Sequence, residues 1–214
     1  MWHFRIFGFP VHVHWLFWLT MAFLGGGISA DTPAEWGGVL IWVAAAFVSV
    51  LVHELGHAVA AQRTGAWCSI FLHGLGGLTR MQNLSVTRNQ NIWISFAGPL
   101  AGICLGLVAL ALVPLVMVVK SQWLAIAVFD LVQINILWSL FNLLPVLPMD
   151  GGQILRDFLG PRKIKIAVWT GAIFAGIFCL LALYVSQWFL VVFFGYLAYA
   201  NYKNLPVEGG TMRN

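Results

Sequence analysis

Between Gly38 and Ala61 the chain runs for 24 residues with three ionisable side chains, and those three, His53, Glu54 and His57, fall inside one five-residue window. An apolar run of this length is what a helix needs to cross the ~30 Å hydrocarbon core of a bilayer. Charge is costly there, so three ionisable groups within about a turn call for a specific chemical reason. On an α-helix, residues i and i+4 share a face, so His53 and His57 can offer two imidazoles to one metal ion, with Glu54 beside them. His-Glu-x-x-His on a helix is the arrangement of zinc hydrolases, in which the glutamate takes a proton from water activated at the metal. The histidine spacing alone leaves structural and metal-binding roles evenly matched. The glutamate in second place and the apolar setting favour the metal.

Composition extends this to the whole chain. Of 214 residues, 61% are hydrophobic and 8% charged, where soluble domains carry about a quarter charged residues. The expectation is a polytopic membrane protein, all-α, with about six transmembrane helices and a small membrane-associated β-hairpin or sheet between spans two and three. The spans are expected at residues 14–28, 38–61, 92–119, from 123 to about 142, 164–185 and 188–202, with Trp2, Phe4, Phe7, Trp15 and Trp18 in an interfacial belt. His12 and His14, two apart, face away from each other on a helix and read as interfacial anchors. The stretch Ile70 to Arg80 is too short and too rich in glycine to span as a helix, and predicts two strands with a turn near Gly74 to Gly77. Gly98, Gly102 and Gly106, at intervals of four, predict a helix face for close packing. A single domain over residues 1–214 is expected, with a short polar tail after Tyr202 and no appended soluble domain. Cys68, Cys104 and Cys179 are scattered and suggest neither a disulfide framework nor a thiolate metal site.

Charge sets the orientation. The excess of 11 Lys and Arg over 7 Asp and Glu points to cytoplasmic loops rather than to nucleic acid. With a cytoplasmic N-terminus, ten of the 11 basic residues lie on the cytoplasmic side, Lys120 being the exception, and both termini are cytoplasmic. Spans two and four then run in the same direction and end at the same depth. That brings Asp150, in the turn Pro148-Met149-Asp150-Gly151, to the level of His57. A catalytic zinc takes three protein ligands and leaves one position open, and a bent backbone at Asp150 could aim its carboxylate inward.

Three motifs in order, His53-Glu54-Leu55-Gly56-His57, Phe96-Ala97-Gly98-Pro99-Leu100 and Asn142 to Gly151, together resemble the site-2 protease family of intramembrane zinc metalloproteases. The stretch around Gly76-Gly77 is similar to the family's strand region, and the likeness covers nearly the whole chain. The resemblance implies one zinc ion per chain, with Asp150 as its third ligand, Glu54 as catalytic base, and Asn142 helping to hold substrate or the strand region. It also implies a membrane-anchored protein as substrate, with Gly76, Gly77 and Leu78 at the binding strand, in a prokaryotic cell membrane. The oligomeric state is left open. A substrate helix must unwind before attack, and the freed N–H and C=O groups could pair with the strands by strand addition. A different class of function is a metal transporter or sensor using His53, His57, Asp130 and Asp150 as a transit site; such a site has no need of Glu54. His73 reads as a loop histidine satisfied by backbone, and Asp130, an acid inside a span, has no settled role.

Overall fold

The computed structural model describes residues 1–82 and 86–203; part of the polar stretch after Gln82 and the tail beyond Lys203, Arg213 included, lie outside them. The chain forms β1 (Trp2–Ile6), β2 (Phe9–Val13), α1 (Trp15–Leu24), α2 (Pro33–Gln62), β3 (Trp67–His73), β4 (Gly76–Gln82), α3 (Arg88–Ala111), α4 (Val113–Val119), α5 (Gln122–Asn142), α6 (Asp150–Leu159), a 3₁₀ turn, α7 (Ile164–Tyr184) and α8 (Trp188–Lys203). Four helical stretches, Pro33–Gln62, Arg88–Val119, Gln122–Asn142 and Pro161–Tyr184, are long and apolar enough to cross a membrane, as in a multi-pass membrane protein. The other two expected spans are shorter: α1 has 10 residues and α8 has 16, about 15 and 24 Å at ~1.5 Å per residue. The residues group into two compact units, one from 1–86 and 97–140, the other from 87–96 and 141 onward.

In the first unit, α2 starts at a capping box: Thr32 Oγ1 accepts the Glu35 N–H at 3.3 Å, and Glu35 Oε2 accepts the Thr32 N–H at 2.9 Å. Pro33 follows at the first helical position, where a missing N–H costs nothing. The sheet is larger than the expected hairpin. Its order is β1-β2-β3-β4, with β2 and β3 parallel and the outer pairs antiparallel. Of the residues read as an interfacial belt, Trp2 and Phe4 lie in β1, Phe7 in the turn after it and Trp15 and Trp18 on α1, while His12 lies in β2 rather than on a helix. The physical reason is an alternation: Phe9, Val11 and Val13 are buried, the period-2 pattern of a strand with one face on a core. Phe7 and Gly8 both have positive φ, 48° and 85°, which closes β1 onto β2 by a two-residue turn. His14 caps α1, its Nδ1 accepting the Leu16 N–H at 3.3 Å.

The helices of this unit are in step. Trp123 of α5 packs against Gly37 of α2, and Asn135 Nδ2 of α5 donates to Ser49 Oγ of α2 at 2.8 Å. Both pairs are 86 positions apart (123 less 37, 135 less 49), so α2 and α5 run parallel with a constant offset over 12 residues. Helix α3 runs against both. Its Gly98 faces the His57 ring, Gly102 faces Ser139 Oγ, and Gly106 faces Ile136. The glycine face expected for close packing is therefore real, and at Gly98 what it admits is an imidazole.

In the second unit the core gathers Val146, Ala175, Phe194 and Leu197. Asn201 of α8, fully buried, donates from Nδ2 to the Leu147 carbonyl at 2.6 Å and to the Leu197 carbonyl at 2.8 Å. The loop before α6 is thereby tied to the end of α8. Gly151 and Gly152 lie against the backbone of Leu143, Leu144 and Val146 so closely that a Cβ on either would overlap it. Their use is close approach, not unusual dihedral angles, since both are helical residues of α6.

Candidate active site

Helix α2 presents His53 and His57 one turn apart, both buried. Their Nε2 atoms converge to 3.2 Å. Two nitrogens each ~2.0–2.1 Å from one tetrahedral ion stand about 3.3 Å apart, so this pair has the bite that a zinc-sized ion requires. Gly98 sets the position of the His57 ring from the opposite side: a Cβ there would overlap Nε2, Cε1 and Cδ2. That function of Gly98 was not legible in the spacing of the α3 glycines, which suits a helix neighbour equally well.

Glu54 is buried and points toward the sheet. Thr79 Oγ1 of β4 donates to Glu54 Oε2 at 2.7 Å and lies 3.1 Å from the Glu54 carbonyl oxygen. One carboxylate oxygen is thus anchored, leaving Oε1 to accept a proton. Gly77, two residues before Thr79, presents its Cα to the same carboxylate; a Cβ would overlap Cγ, Cδ and Oε1. Residues 77 and 79 share a face of β4, which makes this face the wall of the Glu54 carboxylate. Thr79 was not singled out by sequence, because nothing short of the strand register puts its hydroxyl there.

The sheet also decides which backbone groups are available. His14 N–H donates to the Leu72 carbonyl at 2.8 Å, so Leu72 turns its backbone groups toward β2. Its neighbours Phe71 and Ser69 turn toward β4, where they pair with Leu78 and Arg80. Alternation then directs the N–H and C=O of Gly77, Thr79 and Met81 to the open edge. Among the described residues β4 is an edge strand, whereas β3 is flanked on both sides. Gly76 and Leu78 turn their backbone groups inward to β3, and the Leu78 side chain is exposed, on the face away from Glu54. His73 closes the β3–β4 turn, its Nδ1 accepting the Leu75 N–H at 3.2 Å.

Asp150 belongs to the second unit. It is the first residue of α6 and is buried, at the end of the loop that Asn201 and the Gly151-Gly152 contacts hold. Asn142, half-buried, is the last residue of α5. His53 and His57 in the first unit and Asp150 in the second are each buried, and imidazoles and carboxylates are the donors found in catalytic zinc sites. Asp130, buried on α5, stands apart. At the constant offset of 86 it is level with residue 44, nine residues before His53, about 13 Å along the helix. No ion pair joins it to Lys120 among the described residues.

A family model described as Peptidase family M50 matches residues 41–122 and 116–183. The chain is 34% identical over 176 residues to Rip3 of Mycobacterium tuberculosis, covering 74% of this chain and 43% of that protein. It is 31% identical over 192 residues to zinc metalloprotease MJ0392 of Methanocaldococcus jannaschii, covering 84% and 53%. The chain thus spans about half the length of these curated relatives. The solved structure of the site-2 protease from Methanocaldococcus jannaschii aligns over 100% of both chains with a TM-score of 0.64 and 26% identity. The three motifs, the fold and these matches agree: the chain belongs to peptidase family M50, the site-2 protease family.

Proposed function

We propose that this chain is a zinc-dependent intramembrane protease that hydrolyses peptide bonds in or near the transmembrane segments of membrane-anchored proteins. The observation that carries the proposal is the pairing of two converging imidazoles with a carboxylate anchored by a strand: His53 and His57 Nε2 at 3.2 Å, and Glu54 held by Thr79 at 2.7 Å. His53, His57 and Asp150 would hold one zinc ion. When bound, zinc supplies Lewis acidity that lowers the pKa of water and polarises a carbonyl. Glu54 accepts the proton of the attacking water at Oε1, since Oε2 is engaged by Thr79, and returns it to the nitrogen of the leaving amine. Asn142 contacts the substrate or steadies the strand region.

The open edge of β4 receives the substrate as an added strand. A peptide pairing with Gly77, Thr79 and Met81 would lie beside the strand face that walls Glu54, and Gly76 and Leu78 shape that edge without pairing outward. The distribution of Lys and Arg supports a cytoplasmic location for both termini. The parallel pairing of β2 with β3 supports this in part, since it holds the N-terminal strands at the depth of the strands that follow α2. The transporter reading is the weaker one, because Asp130, about 13 Å along α5 from the level of His53, is too far to share an ion with it.

The test is co-expression with a panel of single-span membrane proteins, comparing the wild type with Glu54→Gln, together with zinc analysis of both purified proteins. Loss of a full-length substrate with the wild type only, at equal zinc content, is the expected result. If the two behave alike across the panel, the protease reading fails.

A further inference from the structure

Gly76 and Gly77 open β4, and each lies against a side chain from a different helix. A Cβ added to Gly77 would overlap Cγ, Cδ and Oε1 of Glu54 on α2. A Cβ added to Gly76 would stand 2.8 Å from Cζ2 and 3.1 Å from Cη2 of Trp138 on α5, closer than carbon atoms pack. Successive residues of a strand present opposite faces. The start of β4 therefore passes between a carboxylate on one face and an indole on the other.

The height of the indole agrees with this. The constant offset of 86 between α2 and α5 puts Trp138 level with Val52 (138 less 86), the residue before His53. The turn before Gly76 meets a third helix: a Cβ on Gly74 would come within 3.1 Å of Thr20 Oγ1 and 3.5 Å of Leu16 Cβ, both on α1. Trp138 is half-buried, so its ring is not enclosed by the protein. A strand added to the open edge of β4 continues the pleat of the sheet. Its residue opposite Gly77 turns its side chain to the Glu54 face, and the adjacent residue, opposite Gly76, turns its side chain to the indole face. Directly opposed Cβ positions are only ~4.5–5.5 Å apart, and the indole already fills the Gly76 one. A side chain opposite Gly76 thus shares its space with Trp138, where a small one fits and a large one has to displace the ring.

We propose that Trp138 is a specificity-determining residue: its indole restricts to Gly, Ala or Ser the substrate residue that pairs opposite Gly76, next to the residue that faces Glu54. This rests on the protease reading and on strand addition to β4, and it narrows the substrate class to membrane-anchored proteins with a small residue at that position. The experiment takes a membrane-anchored protein that the wild type cleaves and Glu54→Gln does not, and places a single phenylalanine at each position of the cleaved segment in turn. Cleavage by the purified full chain in detergent is measured as kcat/KM for the wild type, Trp138→Ala and Trp138→Phe. Overpacking at one contact is expected to lower kcat/KM about 10- to 100-fold at one position in the wild type. In Trp138→Ala the ratio of that substrate to its parent should return to within about threefold of one, with Trp138→Phe between the two. Trp138→Phe keeps a ring in the α5 packing, so it carries the test if Trp138→Ala misfolds. A phenylalanine profile that is the same as wild type in the variant that folds overturns the inference, while Glu54-dependent cleavage leaves the protease reading intact. Loss of all cleavage in both variants overturns it too, because a wall that only limits size is not needed for the chemistry. A wild type that cleaves no protein in a Glu54-dependent way overturns both.

Discussion

The buried donors come from two places built on opposite principles. His53 and His57 need one regular helix: the 3.6-residue turn spaces them, and a single glycine across the way, Gly98, admits the ring. Asp150 needs an assembly. Its loop is fixed by two backbone approaches at Gly151 and Gly152, a hydrogen bond from Asn201 to the Leu147 carbonyl, and the packing of Val146 into the core. The difference teaches where each would fail. The histidine pair is set by few contacts that admit no compromise, the aspartate by many contacts that share the load.

The largest effect is therefore expected at Gly98. A methyl group in Gly98→Ala overlaps the His57 ring itself, so zinc binding should fall below detection while circular dichroism shows the helices intact. Asn201→Ala strikes the other construction. It removes both donor bonds of Asn201, at roughly 1 kcal/mol each, and should lower thermal stability and weaken zinc binding about tenfold without abolishing it. Zinc retained by Gly98→Ala and lost by Asn201→Ala would reverse the comparison.

The smallest effect lies away from both, on the outer face of the sheet. His12 stacks on Phe71 at 4.5 Å, its Nδ1 2.6 Å from that of His3, while the Arg80 guanidinium covers Phe71 at 4.3 Å. Burial first, then the charges of His3 and Arg80, hold the His12 pKa below its ordinary value of 6.5. The unfolded chain then takes up this proton before the folded one. The contribution of β1–β2 pairing is full above pH 6.5 and is lost as pH falls through the lower folded value. The protection factors of the β1 and β2 amides, their exchange rates taken relative to the intrinsic rate at each pH, should fall between pH 7.5 and pH 5, and His12→Gln should remove that fall.

Local regularities were legible in the sequence. The i, i+4 histidines, the four long apolar helices and the β3–β4 hairpin each follow from a period that a short window contains. The N-terminal strands were hidden because Phe9, Val11 and Val13 run directly into the apolar α1, and Phe7-Gly8 lacks the Asn or Asp that usually marks a tight hairpin turn. Glycines at intervals of four residues report that something approaches closely, not whether it is a helix or an imidazole. Thr79 and Asn201 are ordinary polar residues until register and packing give them Glu54 and the Leu147 carbonyl as partners. The 86-residue offset between α2 and α5 is likewise a property of packing, set by single contacts such as Trp123 on Gly37.

The open edge of β4 has a consequence for selectivity under the proposed docking. Among the described residues it offers outward N–H and C=O groups at Gly77, Thr79 and Met81, every second residue. A helix drawn onto it surrenders a backbone hydrogen bond at each residue it unwinds and regains partners at about half of them. Discrimination between substrates then becomes a contest of helix strength rather than of side-chain fit. A segment already weakened by glycine or proline where it meets β4 enters readily, and a uniformly leucine-rich one is refused.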